Sequence, residues 1–122
     1  TLDRESLANE FFKYPDLISS KYFLIQINTG DEMQKSGIDP KKADEFIKYC
    51  VHDLKLNIIG LMCMPPITDE PKSHFLSLKN LASKNNLKHL SMGMSDDYKI
   101  AIECGATFIR LGSCLFGKRQ IF

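Results

Sequence analysis

Residues 89–97, which read HLSMGMSDD, decide the fold of this chain. Their first part, residues 89–94, is mostly apolar and predicts a short strand, and the backbone at Gly93 can approach a ligand closely. Ser95 then predicts a helix start, because its hydroxyl can cap a helix that ends at Gly105. A strand, a glycine, a hydroxyl residue and a helix in this order are typical of a phosphate-binding loop. A plain strand–loop–helix turn with a serine cap has the same pattern.

Strands and helices alternate on both sides of this stretch. The predicted strands are residues 22–28, 58–64, 89–94 and 107–111. The predicted helices are residues 3–13, closed by Pro15, then 40–54, 70–84 and 95–105. The strands are almost continuously apolar, as expected when both faces of a sheet are covered. This alternation predicts an α/β fold with a parallel sheet and crossover connections.

The length of the chain limits the number of architectures that it can form. Four parallel strands form either a small doubly wound sheet or half of an eight-stranded β/α barrel. A complete barrel takes about 250 residues, whereas this chain has 122. Half a barrel would expose two strand edges, which favours aggregation. We therefore expect either the small sheet or a longer natural protein with four more strands ahead of Thr1.

The composition is that of an ordinary globular domain. Apolar residues are 43%, charged residues are 25% and the net charge is +1, which gives no electrostatic case for binding nucleic acid or an anionic membrane. No apolar run approaches the roughly 20 residues that span a bilayer. Residues 1–5 lack the basic-then-apolar order of a signal peptide. We therefore expect a cytoplasmic protein with no membrane or nucleic-acid partner.

The four cysteines are widely spaced and form no CxxC pair: Cys50, Cys63, Cys104 and Cys114. Without paired histidine ligands, this spacing predicts neither a zinc site nor a disulfide framework. Each cysteine lies among apolar neighbours in the sequence, so we expect all four to be small buried hydrophobic residues.

A second loop, residues 110–117, repeats the order of strand, glycine and hydroxyl residue. Arg110 alternates in phase with Phe108 and Gly112, so these three residues share one face of the strand, and Arg110 is an inward cation if that face lines the interior of a barrel. A buried arginine needs an acceptor, which is either a ligand or an internal salt bridge. In β/α barrels the phosphate site is often built from the loops after strands 7 and 8. Counting back from the end of the chain gives the last two strands these numbers and makes residues 22–28 strand 5.

The loop after residues 22–28 is polar and contains Gly30 and Gly37. It lacks the G-x-x-x-x-G-K-[ST] pattern of a P-loop, so we expect a solvated loop at the mouth of the site. Met62 and Met64 alternate on the next strand and fit either the core or a contact with a ligand ring.

Six stretches of the chain resemble the pyridoxal phosphate homeostasis protein family, whose fold is similar to the N-terminal domain of alanine racemase. They are TLDR at residues 1–4, LIQIN at 24–28, KSG at 35–37, GLM at 60–62, LSMGMSDD at 90–97 and GATFIRLGSCLFGKR at 105–119. The last two are specific, and the resemblance covers nearly the whole chain. It implies that residues 1–122 are the C-terminal half, strands 5–8, of a single TIM-type (β/α)8 barrel that binds pyridoxal 5′-phosphate (PLP). The N-terminal half, with the lysine that forms a Schiff base with PLP, would then precede Thr1.

The resemblance also implies a role for each candidate site residue. Met94 and Ser95 would meet the phosphate of PLP through a backbone N–H and a hydroxyl, and Gly112 and Ser113 would complete the phosphate cup. Arg110 would face the pyridine nitrogen. Because arginine stays protonated, that nitrogen would stay unprotonated, which makes the ring a poorer electron sink.

By the same resemblance, the protein is a carrier or regulator of vitamin B6 and amino-acid pools, without an established turnover. Its expected partners are PLP and PLP-dependent apoenzymes, and at its natural length it is expected to be a monomer and not an enzyme. One alternative is a PLP-dependent amino-acid racemase, which needs a second base, commonly a tyrosine from another domain. The other is a sugar-phosphate-binding barrel or a binding module without a cofactor.

Overall fold

A computed structural model of the chain describes residues 1–30, 32–33 and 36–120. The strands are β1 (Phe23–Gln26), β2 (Ile58–Met62) and β3 (His89–Ser91). The helices are α1 (Glu5–Phe12), α2 (Pro15–Ile18), α3 (Ala43–Lys48), α4 (Pro71–Lys84), α5 (Tyr98–Glu103) and α6 (Ser113–Phe116). In the part of the chain that these ranges cover, no helix combines the length and apolar character needed to cross a membrane.

The sheet is parallel throughout, with the strand order β1-β2-β3. Two isolated parallel bridges extend it on either side. Leu2 pairs with Ile25 beyond β1, and Phe108 pairs with Ser91 beyond β3. The predicted parallel α/β arrangement is therefore confirmed, and the chain also contributes an extended segment around Leu2, which the sequence interpretation had not recognised as part of the sheet.

The last predicted strand, residues 107–111, does not form a regular ladder. The backbone N–H groups of Thr107 and Phe108 both donate to the carbonyl of Leu90, at 2.9 and 3.1 Å. Two successive amides that share one acceptor interrupt the alternation of a strand. The segment still follows β3 closely, because the N–H of Arg110 donates to the carbonyl of Gly93 at 2.9 Å.

Two helix predictions need correction in detail. The first helix ends at Phe12, ahead of Pro15, but Pro15 also begins a second short helix that the sequence did not predict, α2, where its missing N–H costs nothing. The predicted helix at residues 40–54 forms as a 3₁₀ turn (Pro40–Lys42), then α3, then a π-helical turn (Tyr49–Asp53). Its predicted cap is confirmed, since Oδ1 of Asp39 accepts from the N–H of Lys41 at 2.9 Å.

The core lies between the sheet and the helices. Ile25, Leu61 and Leu90 pair in one row across the three strands, and all three are buried. Phe75 and Leu78 of α4 are completely buried in the same cluster. Burying each large apolar side chain contributes about 1.5–3 kcal/mol, so this row fixes which face of the sheet meets the helices.

The polar loop after β1 begins and ends beside the strand, because Ile27 forms a parallel bridge with Ile38. The side-chain amide of Asn28 donates to the backbone carbonyl of Glu32 at 2.6 Å and closes the first turn of the loop. Three of its residues, among them Lys35 of the KSG stretch, lie outside the described residues.

Gly60 lies where β2 and β3 come close together, opposite His89 in the register. A methyl group on Gly60 would overlap the backbone carbonyl of His89, and a paired strand cannot move aside. We therefore expect Gly60→Ala to lower the free energy of unfolding by about 3 kcal/mol, the upper end of the usual cost of overpacking. Urea denaturation followed by circular dichroism measures the change.

Gly112→Ala is the matched control for this prediction. Its φ is negative, at −131°, and, apart from its two chain neighbours, no described residue has a heavy atom within 4 Å of the position that a methyl group would take. A similar loss of stability in both variants would contradict the steric explanation.

Candidate functional site

The carboxyl ends of the strands form one edge of the sheet, and two cavities open there. The first has a volume of about 350 Å³. It is lined by Met64, Pro65, Pro66, Ile67, Asp69 and Pro71 on one side and by residues 93–97, Arg110 and Ser113 on the other. The second, of about 450 Å³, shares residues 64–67 and Met94 with it and reaches Gln26 and Asn28 near the end of β1. Ligands of parallel α/β proteins bind at this edge.

Arg110 is held by two neutral groups of the protein. One terminal nitrogen, Nη1, donates to the hydroxyl of Ser91 at 2.6 Å, and Nη2 donates to the backbone carbonyl of Cys63 at 2.9 Å. Burial lowers the pKa of Arg110, while the negative charge of Asp97 opposes that shift. A guanidinium stays protonated at neutral pH. The site therefore contains a half-buried cation whose acceptors carry no charge.

Ser95 does not cap the following helix, which corrects the sequence interpretation. Its hydroxyl accepts from the backbone N–H of Cys114 at 3.1 Å and so joins the two loops. Residues 95–97 form a turn, so Asp97 rather than Ser95 directly precedes α5. The carboxylate of Asp97 turns back and accepts from the N–H of Met94 at 2.7 Å.

Four of the five predicted site residues line the same cavity: Met94, Ser95, Arg110 and Ser113. The fifth, Gly112, directly precedes Ser113 and leaves open space where a side chain would stand. Within the described part of the chain, no acceptor is paired with the backbone N–H of Gly112 or of Ser113. The cavity therefore presents hydroxyl, amide and guanidinium donors together.

Gly93 lines this cavity, and its backbone is also packed closely against α5. Its φ is +99°, and a Cβ atom there would lie 2.6 Å from Cβ of Ala101 and 3.0 Å from Cα of Tyr98. Glycine is therefore required for α5 to pack against the end of the strand. The close approach at this residue is made by a helix of the same chain.

The cysteine expectation is confirmed for three residues and is wrong for Cys114. Cys50, Cys63 and Cys104 are buried, but Cys114 is exposed, and all four thiols are free. Cys114 belongs to α6, which contains no buried residue. Across residues 1–30, 32–33 and 36–120, no cluster of three or more His, Cys, Asp or Glu side chains could hold a metal ion.

Sequence reasoning missed three groups that bond to candidate site residues: Ser91, Asp97 and the carbonyl of Cys63. Ser91 had a usable signal, because it is a polar residue inside a mostly apolar strand. Asp97 was read only as part of a helix start. The contribution of Cys63 comes from its backbone, which every residue type has, so no sequence signal could have identified it.

The fold and the site define the class of this protein: it is a parallel α/β protein whose candidate site lies at the carboxyl ends of its strands. Residues 19–120 match the family model for the N-terminal domain of alanine racemase. The chain belongs to this family.

Relatives with similar sequences share the name pyridoxal phosphate homeostasis protein. A pyridoxal phosphate homeostasis protein from Aquifex aeolicus is 37% identical over 98% of this chain and 57% of its own length. One from Helicobacter pylori is 42% identical over 76% of this chain and 44% of its own length. The chain thus spans about half the length of the curated relatives it matches.

Solved structures of PipY from Synechococcus elongatus have the same fold. The structure without PLP has a TM-score of 0.79 and 29% identity, over 96% of this chain and 60% of that one. The structure with PLP bound has a TM-score of 0.81 and 26% identity, over 95% and 58%.

The burial of the cysteines predicts their reactivity. Burial raises the pKa of Cys50 and of Cys63 to about 12, and only a thiolate attacks a disulfide reagent. We expect one thiol of the folded chain to react rapidly with DTNB at pH 8, and Cys114→Ser to abolish that phase. All four should react after unfolding. A second fast thiol in the folded protein would contradict the burial of the other three.

Proposed function

We propose that this protein binds PLP and serves PLP homeostasis as a carrier or regulator of vitamin B6 and amino-acid pools, without turnover of a substrate. The names of the relatives and the PLP-bound PipY structure support this proposal. The single observation that carries it is the convergence of Ser95, Arg110 and Ser113 on one cavity at the carboxyl edge of the sheet.

The donors of this cavity suit a phosphorylated pyridine. The hydroxyls of Ser95 and Ser113 and the N–H groups of Gly112 and Ser113 would hold the phosphate, because a phosphate carries several strong acceptor oxygens. Arg110 would lie toward the ring nitrogen. When bound, PLP supplies an aldehyde that bonds an amine and a ring that withdraws electrons from it. A cationic guanidinium opposite the nitrogen keeps that nitrogen unprotonated and so favours storage over carbanion chemistry.

The proposed role of Met94 requires a rearrangement in its loop. Its N–H already donates to the carboxylate of Asp97 at 2.7 Å, so a phosphate oxygen would have to replace that carboxylate. Like charges at close range repel each other. Asp97 is therefore a competitor of the phosphate for this amide and would weaken phosphate binding.

We further propose that residues 1–122 form the C-terminal half of the barrel, strands 5–8, and that the lysine which bonds PLP belongs to the other half. The share of the relatives that the chain spans supports this, as does the pairing of Leu2 with β1 on the side where strand 4 would lie. Among the described residues, no lysine lines either cavity at the carboxyl edge.

The proposal extends to the partners and the setting of the protein. PLP-dependent apoenzymes are the proposed recipients, the protein at its natural length is proposed to be a monomer, and its proposed location is the cytoplasm. The relatives are named as homeostasis proteins rather than as enzymes. No tyrosine of the described residues lines either cavity, which weighs against a racemase with a tyrosine base in this half.

The assignment of Arg110 and Ser95 is tested by substitution in the protein at its natural length. Arg110→Ala removes a charged contact and should weaken PLP binding about 10- to 100-fold, whereas Ser95→Ala removes a neutral one and should weaken it about 3- to 10-fold. Arg119→Ala and Ser73→Ala, at exposed positions outside the cavity, are the matched controls. Unchanged affinity in both test variants would refute the site.

The same titration tests the placement of the lysine. PLP is added to this chain and to the protein carrying its preceding residues, followed by borohydride and intact-mass measurement. A reduced pyridoxyl adduct on the longer protein alone supports both proposals. A stoichiometric adduct at one lysine of this chain contradicts the placement of the lysine, and binding by neither chain contradicts the PLP proposal itself.

Asp97→Asn tests the competition at Met94. Asparagine keeps an acceptor oxygen for the N–H of Met94 but removes the negative charge, so we expect the affinity for inorganic phosphate to rise about threefold through loss of repulsion. Asp53→Asn, at an exposed position outside both cavities, controls for the change in net charge. An equal rise in both variants would mean that the effect is not local to Met94.

A further inference from the structure

The orientation of the Arg110 guanidinium depends on two neighbouring strands. Its Nη2 atom reaches the carbonyl of Cys63, which follows β2, and its Nη1 atom reaches the hydroxyl of Ser91 at the end of β3. Arginine has five N–H donors in a rigid, planar fork. Two bonds from different terminal nitrogens therefore fix the plane of the fork, whereas one bond would let it swing about the bonded nitrogen.

Ser91 is well placed for this task. It is 5% exposed, and it pairs with Met62 on one side and Phe108 on the other. In the described part of the chain, it is the one side chain that accepts a hydrogen bond from Arg110. The other acceptor is a backbone carbonyl, which every residue type has. The orientation of the guanidinium therefore depends on the residue type at position 91.

We propose that Ser91 is a positioning residue, which directs the Arg110 guanidinium toward the ring nitrogen of the bound phosphopyridine. The proposal rests on the function proposed above and adds a residue to it. Ser91 itself does not touch the ligand; it acts by holding Arg110. Its effect should therefore depend on whether the ligand has a ring nitrogen that Arg110 can meet.

This dependence provides the experiment. Calorimetry on the protein at its natural length compares two probes that lack the aldehyde: pyridoxine 5′-phosphate, and its deaza analogue in which a CH group replaces the ring nitrogen. Ser91→Ala should weaken binding of the first probe about tenfold, as expected for a lost hydrogen bond to a charged group. Binding of the analogue should stay within about twofold, and Ser91→Thr, which restores a hydroxyl, should recover most of the loss.

A merely structural role for Ser91 gives a different pattern. Ser91→Ala would then weaken both probes equally, or lower the melting temperature without changing either affinity, and each result would overturn the proposal. The guanidinium can also be observed directly by ¹⁵N NMR of the ligand-free protein. The Arg110 Nη signals should be separate in the wild type and broaden toward each other in Ser91→Ala, because only the bond to the carbonyl of Cys63 then resists rotation of the guanidinium; merged signals in the wild type would overturn the proposal.

The two proposals fail in distinguishable ways. If the wild-type protein binds neither probe and gains no reduced pyridoxyl adduct with PLP, the proposed PLP function fails and the positioning role fails with it. If it gains the adduct but binds neither probe, the positioning role alone is refuted. If the wild type binds both probes and Ser91→Ala does not discriminate between them, PLP binding stands and the role of Ser91 is refuted. Ser73→Ala is the control for loss of a hydroxyl elsewhere. Ser73 lies in the first turn of α4, and its hydroxyl donates to the carbonyl of Glu70.

Discussion

The parallel pairing of β2 with β3 is the constraint on which the rest of the structure depends. Gly60 allows the two strands to approach closely, and the register that follows places Met62 beside Ser91. Because the strands are parallel, their carboxyl ends lie on the same edge, and the segments that leave them are neighbours. The carbonyl of Cys63 and the hydroxyl of Ser91 can therefore both reach Arg110, although they are far apart in the sequence.

The electrostatics of the site follow from this arrangement. Arg110 is half buried, and its two protein contacts are neutral, so its charge is not cancelled by a carboxylate bonded to it. Asp97, whose negative charge acts on Arg110, accepts a hydrogen bond from the N–H of Met94. A cation that is satisfied in hydrogen bonds but not neutralised remains attractive to an anionic or electron-rich ligand. This combination distinguishes the cavity from an internal salt bridge.

The fold was predictable from the sequence to a useful depth. Alternating apolar strands and amphipathic helices predicted the parallel α/β sheet, and the cap at Asp39 followed from residue type alone, since both depend on local propensity and periodicity. The segment around Leu2 and the irregular pairing of residues 107–110 could not be predicted, because each depends on which carbonyl of a neighbouring strand is within reach. The secondary-structure propensity of a residue does not identify such long-range hydrogen-bond partners.

The candidate site, like the fold, could be predicted from the sequence only in part. The sequence by itself determined the residue types at the candidate site: two loops that contain glycine and hydroxyl residues, and one arginine. The tertiary structure alone decided the connections among them: Ser95 bonded to the amide of Cys114, Asp97 to that of Met94, and Arg110 held between Ser91 and Cys63. Residue type fixes what a group can donate or accept, but its partner is set by the packing of strands that are distant in the sequence.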